Sequence, residues 1–249
     1  MGKTIAVINQ KGGVGKSTTA QALTAGLTLK GFKVLVIDLD PQSNTSFTMG
    51  ASGSGATVLG VLLKEVSAEA AVQSTAYGDI IAGTEKLAGA DSFITDTGKE
   101  YQLREALSPL RAVYDYIIID TPPALGILTV NALTASDSVI IPAQAEVYSL
   151  QGIGKLSEAI KAVKKYCNPG LTIEGILFTR YNNRSTFNQE LSDLTEKLAE
   201  NLNTRVFDTQ IRESIAIKKA QATQKSIFEY DPKGNAAADY MNFIGEITQ

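Results

Sequence analysis

The sequence predicts one α/β domain, residues 1–249 as a single unit, with a mostly parallel twisted sheet and helices on both faces. Three observations lead there. Short β-branched runs alternate with longer segments of helical period, which is the rhythm of βαβ units. Several of those runs are continuously apolar, as strands covered on both faces must be. A chain of 249 residues with 44% hydrophobic residues can bury a large core, and no composition break divides it.

Taken in order, residues 5–8 read as a strand, 17–30 as a helix, and 34–37 as a second strand ending at Asp38. Residues 49–60 are rich in Gly, Ser and Ala and are expected to form a mobile loop rather than a linker between domains. Apolar runs at 116–119, 139–141 and 173–178 supply three central strands. Ile153, Leu156, Ile160 and Val163 keep helical spacing, and Asn168-Pro169-Gly170 stops that helix. Phe187, Leu191, Leu194, Leu198 and Leu202 form a second stripe, and both stripes are expected to pack on the core. Residues 236–247 read as a helix with Tyr240, Phe243, Ile244 and Ile247 on one side. Its only charges are Asp239 and Glu246, so it is expected to dock on the core and not on a membrane.

Composition narrows the chemistry. A formal charge of −3 and a pI near 5.2 forbid a diffuse positive field, so any nucleic-acid contact needs a local cationic cluster. The absence of histidine excludes His-based acid–base catalysis and His-ligated metals. The single Cys167 can neither close an internal disulfide nor build a thiolate cage, which points to a reducing cytoplasm. No segment has the length to cross a bilayer, and residues 4–8 enter a strand too early for a signal peptide, so a soluble intracellular protein is expected.

The general phosphate-binding loop reads G-x-x-x-x-G-K-[ST]; its backbone N–H groups circle phosphates, its lysine neutralises them and its hydroxyl binds Mg²⁺. Here Gly15-Lys16-Ser17-Thr18 closes the motif, Gln10 stands at the first glycine position, Gly12 and Gly13 are moved inward, and Lys11 adds a cation. With a strand before it and a helix after it, the stretch Lys11, Gly12, Gly13, Val14, Gly15, Lys16, Ser17 and Thr18 is the candidate ATP-binding loop of a P-loop NTPase. Such a site also needs carboxylates at the C-terminal edge of the sheet to hold Mg²⁺ and place the attacking water. Asp38 and Asp40 follow one strand and Asp120 another, and both strands are expected to flank the P-loop strand.

Together, Lys11-Gly-Gly-Val-Gly-Lys16-Ser17, Asp38-Leu-Asp-Pro-Gln42 and Asp120-Thr-Pro-Pro123 resemble the ParA/Soj partition ATPases, which carry the deviant Walker A box. The likeness continues through residues 136–142, Gln144, residues 175–179 and Tyr230-Asp231-Pro232, nearly the whole chain. The resemblance implies ATP and Mg²⁺ as cofactors and weak intrinsic turnover. It places Lys16 on the β/γ-phosphates and Ser17 on Mg²⁺, with Asp120 holding that ion through water, Asp38 in support, and Asp40 orienting the hydrolytic water. Lys11 would reach across an ATP-dependent sandwich homodimer to the other subunit's phosphates, making Lys11, Lys16 and Asp40 the catalytic set. It also implies nonspecific DNA binding by the ATP dimer, release when a ParB-like partner stimulates hydrolysis, and a cytoplasmic, nucleoid-associated protein.

The DNA surface is where the chain departs from the family. Residues 201–233 hold six basic residues against four acidic ones. Where the family usually reads I-P-R-N-V-R-L-S-E-A, this chain reads Ile211-Arg-Glu-Ser-Ile-Ala-Ile-Lys-Lys-Ala220, with Glu213 and Ala216 at the arginine positions and Lys218 and Lys219 nearby. Candidate DNA contacts are Arg184, Arg212, Lys218, Lys219 and Lys225. Arg180 and Arg184, in the loop after the strand at 173–178, join that surface or face the base. Arg212 and Ser214 stand where the family's Pro and Asn touch the purine and are therefore further ATP-binding candidates. A ParA-like ATPase that positions a non-DNA cargo would run the same cycle. A MinD-like division-site ATPase needs a cationic membrane helix, whereas no Lys or Arg follows Lys233. An electron-transfer iron protein needs more cysteine than Cys167. No extension precedes Thr4 to carry an added helix-turn-helix, so no specific operator binding is expected.

Overall fold

The computed structural model describes residues 2–144, 146–181 and 186–248, with 147–151 and 186–193 described by backbone alone. Among these residues eight strands form one sheet: β1 (Lys3–Val7), β2 (Val34–Asp38), β3 (Val72–Thr75), β4 (Gly78–Ile81), β5 (Tyr116–Asp120), β6 (Ser138–Ala143), β7 (Thr172–Tyr181) and β8 (Ile211–Arg212). The order across the sheet is β3-β4-β2-β5-β1-β6-β7-β8. Every neighbouring pair is parallel except the β3–β4 hairpin at one edge.

Strand side chains alternate between faces, and here both faces are covered. Ala6, Leu35, Ile37, Ile117, Ile119 and Ile141 pack on the side of the Ile127–Ala135 and Val147–Tyr166 helices. Ile5, Val7, Val34, Val36, Ile118 and Ile140 pack on the side of the Lys16–Leu29 and Asn235–Ile247 helices. The last helix docks as its apolar side requires, with Tyr240, Phe243 and Ile244 buried and Phe243 edge-on to Phe207 at 4.9 Å. It lies so close to the Lys16–Leu29 helix that a Cβ on Gly26 would stand 2.2 Å from Ile244 Cδ1.

Four expectations change. First, β5 alone separates β1 from the acid-bearing β2, so β2 does not flank the P-loop strand. The parallel register nevertheless sets Val7, Asp120 and Asp38 abreast, Val7 opposite Asp120 and Asp120 opposite Asp38, so all three strand ends open on one crevice. Second, the segment 49–60 is not all loop: Val58–Leu62 is helical because Val58 and Leu62 are fully buried, which anchors its second half. Third, the Thr186–Asn201 helix turns Leu194 out, 51% exposed, because its buried seam runs through Thr195 and Ala199. Phe187 and Leu191 of that stripe lie outside the described side chains. Fourth, Arg180 sits inside β7, at a register shift against β8 and with φ 51, instead of in a following loop.

The strand order reverses around β1, which leads to β2 on one side while β6 lies on the other. Doubly wound sheets leave a crevice at the C-terminal ends of their strands at such a point.

Candidate functional site

The loop after β1 fills that crevice and is pinned from below by buried side chains. Asn9 donates its amide to the Pro142 carbonyl of β6 (2.7 Å), and its Oδ1 accepts from the Lys11 N–H (3.0 Å). Gln144 donates to the Gly13 carbonyl (3.0 Å), and the Thr179 hydroxyl of β7 donates to the Val14 carbonyl (2.8 Å). Gly13 and Gly15 adopt φ 77 and 87, a left-handed backbone that disfavours any side chain, and a Cβ at Gly12 or Gly13 would meet nothing within 4 Å. The loop is therefore bare toward the crevice and anchored away from it. Gly15 then starts the Lys16–Leu29 helix, whose first turn carries no acid, leaving its positive end open to an anion.

Lys16 is only 6% exposed and donates to the Lys11 carbonyl (3.2 Å). Burial pulls its pKa down, and Asp120 and Asp40 partly offset this by favouring the charged form. It lines a cleft of about 420 Å³ together with Gly12, Ser17, Asp40, Phe47 and Gln221 among others.

Of the three carboxylates at the strand ends, Asp40 lines that cleft, and Asp38 and Asp120 are fully buried. One oxygen of Asp120 accepts from the Thr45 hydroxyl (2.7 Å), and the other has no hydrogen-bond partner in the structure. Burial, then the neighbouring Asp38, push its pKa well up, against the pull of the Thr45 and Ser17 hydroxyls. Asp38 is raised too, mainly by burial, while the Ser46 hydroxyl (2.7 Å) and N–H (2.8 Å) favour its charged form. Asp40 is mostly buried and accepts from the Gln42 N–H (3.0 Å). An orphaned buried oxygen beside a serine hydroxyl and a buried lysine leaves a place for a hydrated cation and the anion it accompanies. Among the described residues no three acids or cysteines converge into a cage of their own, which suits an ion whose remaining ligands are water and phosphate.

A second pocket of about 150 Å³ shares Gly13, Gly15, Thr18 and Gln221 with the cleft and continues it toward Arg180, Arg212 and Ser214. Both base-side candidates therefore border the site, though each is engaged. Arg212 grips Asp239 with its guanidinium (2.5 and 2.9 Å) and backbone N–H (3.0 Å), and Ser214 caps the Ile215–Ala222 helix by accepting from the Ala216 N–H (3.2 Å).

The other cations differ in how free they are. Lys11 leaves the loop at the rim and pairs with Glu146 of its own chain. Arg180 pairs with Glu213 (2.7 Å) and Lys225 with Glu229 (2.7 Å). Lys218 and Lys219 are exposed on the Ile215–Ala222 helix and make no ion pair among the described residues. Arg184 lies outside the described residues. Sequence reasoning missed the roles of Asn9, Thr179, Thr45, Ser46 and Glu146, whose residue types carry no signal until the strands bring them together.

A family model described as an AAA domain, AAA_31, matches residues 2–173. The sporulation initiation inhibitor protein Soj of Bacillus subtilis is 38% identical over 252 residues, covering 99% of this chain and 98% of that protein. The chromosome partitioning protein ParA of Myxococcus xanthus is 36% identical over 246 residues, covering 97% of this chain and 86% of that protein. The solved structure of cobyrinic acid a,c-diamide synthase from Mycobacterium smegmatis, with bound ADP and magnesium, matches with a TM-score of 0.86 and 33% identity, covering 100% of this chain and 94% of that one.

Proposed function

This chain belongs to the AAA_31 family and, within it, to the Soj/ParA chromosome-partitioning ATPases, and from that premise we propose that it hydrolyses ATP as a timer for its own binding to DNA. ATP and Mg²⁺ are the cofactors; Lys16 contacts the β/γ-phosphates, Ser17 is a ligand of the ion, Asp120 holds it through water and Asp38 supports Asp120. When bound, Mg²⁺ neutralises phosphate charge and fixes the phosphates' orientation. The loop Gly12 to Thr18 wraps the phosphates, Asp40 orients the attacking water, and Arg212 and Ser214 border the base.

The observation that carries the reading is the placement of Lys11. Its ammonium pairs with the exposed Glu146, and Lys11 is not among the residues that line the cleft. A cation there adds little to its own phosphate site and is available to a second subunit in an ATP-dependent sandwich homodimer. Turnover of the isolated chain is weak, and a ParB-like partner accelerates it and releases the dimer from DNA. Lys218 and Lys219 supply the unpaired charge for nonspecific DNA, with Arg184 as a further candidate and with Arg212 and Lys225 joining the surface once Asp239 and Glu229 are exchanged for phosphate. The protein then works in the cytoplasm on the nucleoid. Among the described residues no helix is long and apolar enough to cross a membrane, and the cycle calls for no membrane contact.

The test is binding to random-sequence duplex DNA across a salt series with ATP, ADP or no nucleotide. Tight binding with ATP alone, weakening steeply with salt, is expected. Equal binding with ADP and ATP, or a flat salt response, overturns the DNA reading.

A further inference from the structure

Beyond the ion site itself, a chain of side-chain hydrogen bonds leads from Asp120 to the helix carrying Lys218 and Lys219. The Thr45 hydroxyl spends its one proton on Asp120 (2.7 Å) and accepts from the Gln21 amide nitrogen (3.4 Å). That nitrogen's other proton goes to the Asn44 carbonyl (3.2 Å). The Gln21 carbonyl oxygen accepts from the Gln221 amide (3.3 Å), and Gln221 also donates to the Thr18 hydroxyl (3.0 Å). Two amides thus use four N–H groups on four acceptors, and along the line Gln221, Gln21, Thr45, Asp120 each bond is donated toward the carboxylate, while the Asn44 carbonyl and the Thr18 hydroxyl take the remaining two protons. Just past the C-terminus of the same helix, Gln224 donates to the Phe47 carbonyl (2.8 Å), closing a second link to the Asn44–Thr48 helix.

We infer that Gln21 and Gln221 are positioning residues that couple the cation site at Asp120 to the Ile215–Ala222 helix, with Asn44–Thr48 as the element between them. This rests on the proposed role of Asp120. Thr45 holds one Asp120 oxygen and the other is free, so water of a bound cation would donate to the free oxygen, draw charge from the carboxylate and weaken its bond to the Thr45 hydroxyl. Thr45 has no second proton with which to keep both its bond to Asp120 and a new one, so a change at the carboxylate passes to Gln21. Gln21 is a half-buried residue of the Lys16–Leu29 helix, is not a candidate nucleotide ligand, and among the described residues is hydrogen-bonded to the basic helix through Gln221. The basic surface is then presented in one orientation with the loaded site and in another without it.

The test is amide hydrogen exchange of segments 44–48 and 215–224, without nucleotide, with a non-hydrolysable ATP analogue and Mg²⁺, and with the analogue plus chelator. In the wild-type chain, Mg²⁺ with the analogue is expected to change exchange at 215–224 about fivefold over the chelated sample, the lower range of ordinary coupling between sites. Gln21→Leu, a helix-compatible change on a half-buried surface, is expected to reduce that response below about twofold while analogue affinity by fluorescence titration stays within about twofold. Gln221→Leu, which also loses the bond to Thr18, reduces the exchange response likewise, and the two changes together reduce it no further, because each already removes the Gln21–Gln221 contact. No Mg²⁺-dependent change at 215–224 in the wild type, or full retention of it in Gln21→Leu, overturns the relay whatever the DNA result. A wild-type response in a chain that binds no DNA at any salt leaves the relay standing and overturns the proposed function.

Discussion

At the scale of single residues, the site is built from groups held in unfavourable surroundings. Asp120 and Asp38 lie abreast on neighbouring strands, both buried, with Asp38 raising the pKa of Asp120 and Asp40 adding to the burial that raises Asp38. Asp120 is pushed up to about 8 by burial first and Asp38 second, whereas an unfolded aspartate titrates near 4. Between those values the folded chain holds protons that the unfolded chain has released, so stability falls as pH rises through the window and levels off above it. The expectation is a loss of about 1 kcal/mol or more between pH 5 and pH 8 for the ligand-free chain, read from urea midpoints. No histidine contributes to this window, and Asp38, pushed up to about 6, adds to the lower part of the slope. Asp120→Asn should flatten the slope and raise stability at pH 8, and Mg²⁺ with nucleotide should remove the slope in the wild type by favouring the charged carboxylate. A slope unchanged in Asp120→Asn would show that this carboxylate is not its source.

At the scale of elements, the docking of the Asn235–Ile247 helix against Lys16–Leu29 sets how rigidly the phosphate loop is backed. Gly26 permits the close approach, since a Cβ there collides with Ile244 Cδ1. Gly26→Ala should destabilise by about 1–3 kcal/mol in spite of alanine's better helix propensity, because overpacking outweighs a gain of about 1 kcal/mol. Ile244→Val, which removes Cδ1, should recover part of that loss in the double variant. Additive losses would place the clash elsewhere. These two helices were legible from periodicity alone, as were β1, β2, β5, β6 and β7, because long amphipathic or fully apolar stretches leave little choice of structure. The β3–β4 hairpin was not: Val72–Thr75 and Gly78–Ile81 are short, partly polar edge strands, and nothing local distinguishes them from loop. The two-residue β8 is fixed by its pairing with β7 and by Asp239 holding Arg212, both distant in sequence.

At the scale of the whole molecule, the site was legible wherever one short segment contains it and illegible wherever the sheet assembles it. Gly12 to Thr18 and the strand-end acids announce themselves in order along the chain. The pairing of Asp38 with Asp120 across β2 and β5, and Thr179 reaching from β7 to Val14, exist only after the crossovers close. The same distinction separates folding from assembly in the behaviour expected of Lys11. Its pair with Glu146 is exposed and contributes at most about 1 kcal/mol, so Lys11→Ala should leave the melting temperature almost unchanged. ATP-dependent dimers by light scattering and stimulated turnover should both be lost. Dimers that persist in Lys11→Ala would end the proposed contribution of this lysine across the interface.

The contact between Lys11 and Glu146 has a further consequence for encounter. Two copies meeting about a two-fold axis present the same surface to each other, so an uncompensated cation at the rim would face its own image. Glu146 brings the local sum near zero before the copies meet, leaving little long-range repulsion for counterions to screen. Subunit association should then vary little with ionic strength, while attachment to a polyanion through Lys218 and Lys219 falls steeply. In a salt titration with ATP the two steps should separate, leaving dimers free in solution at concentrations where none remain on DNA. In Glu146→Gln, by contrast, dimerisation should speed up as salt is added.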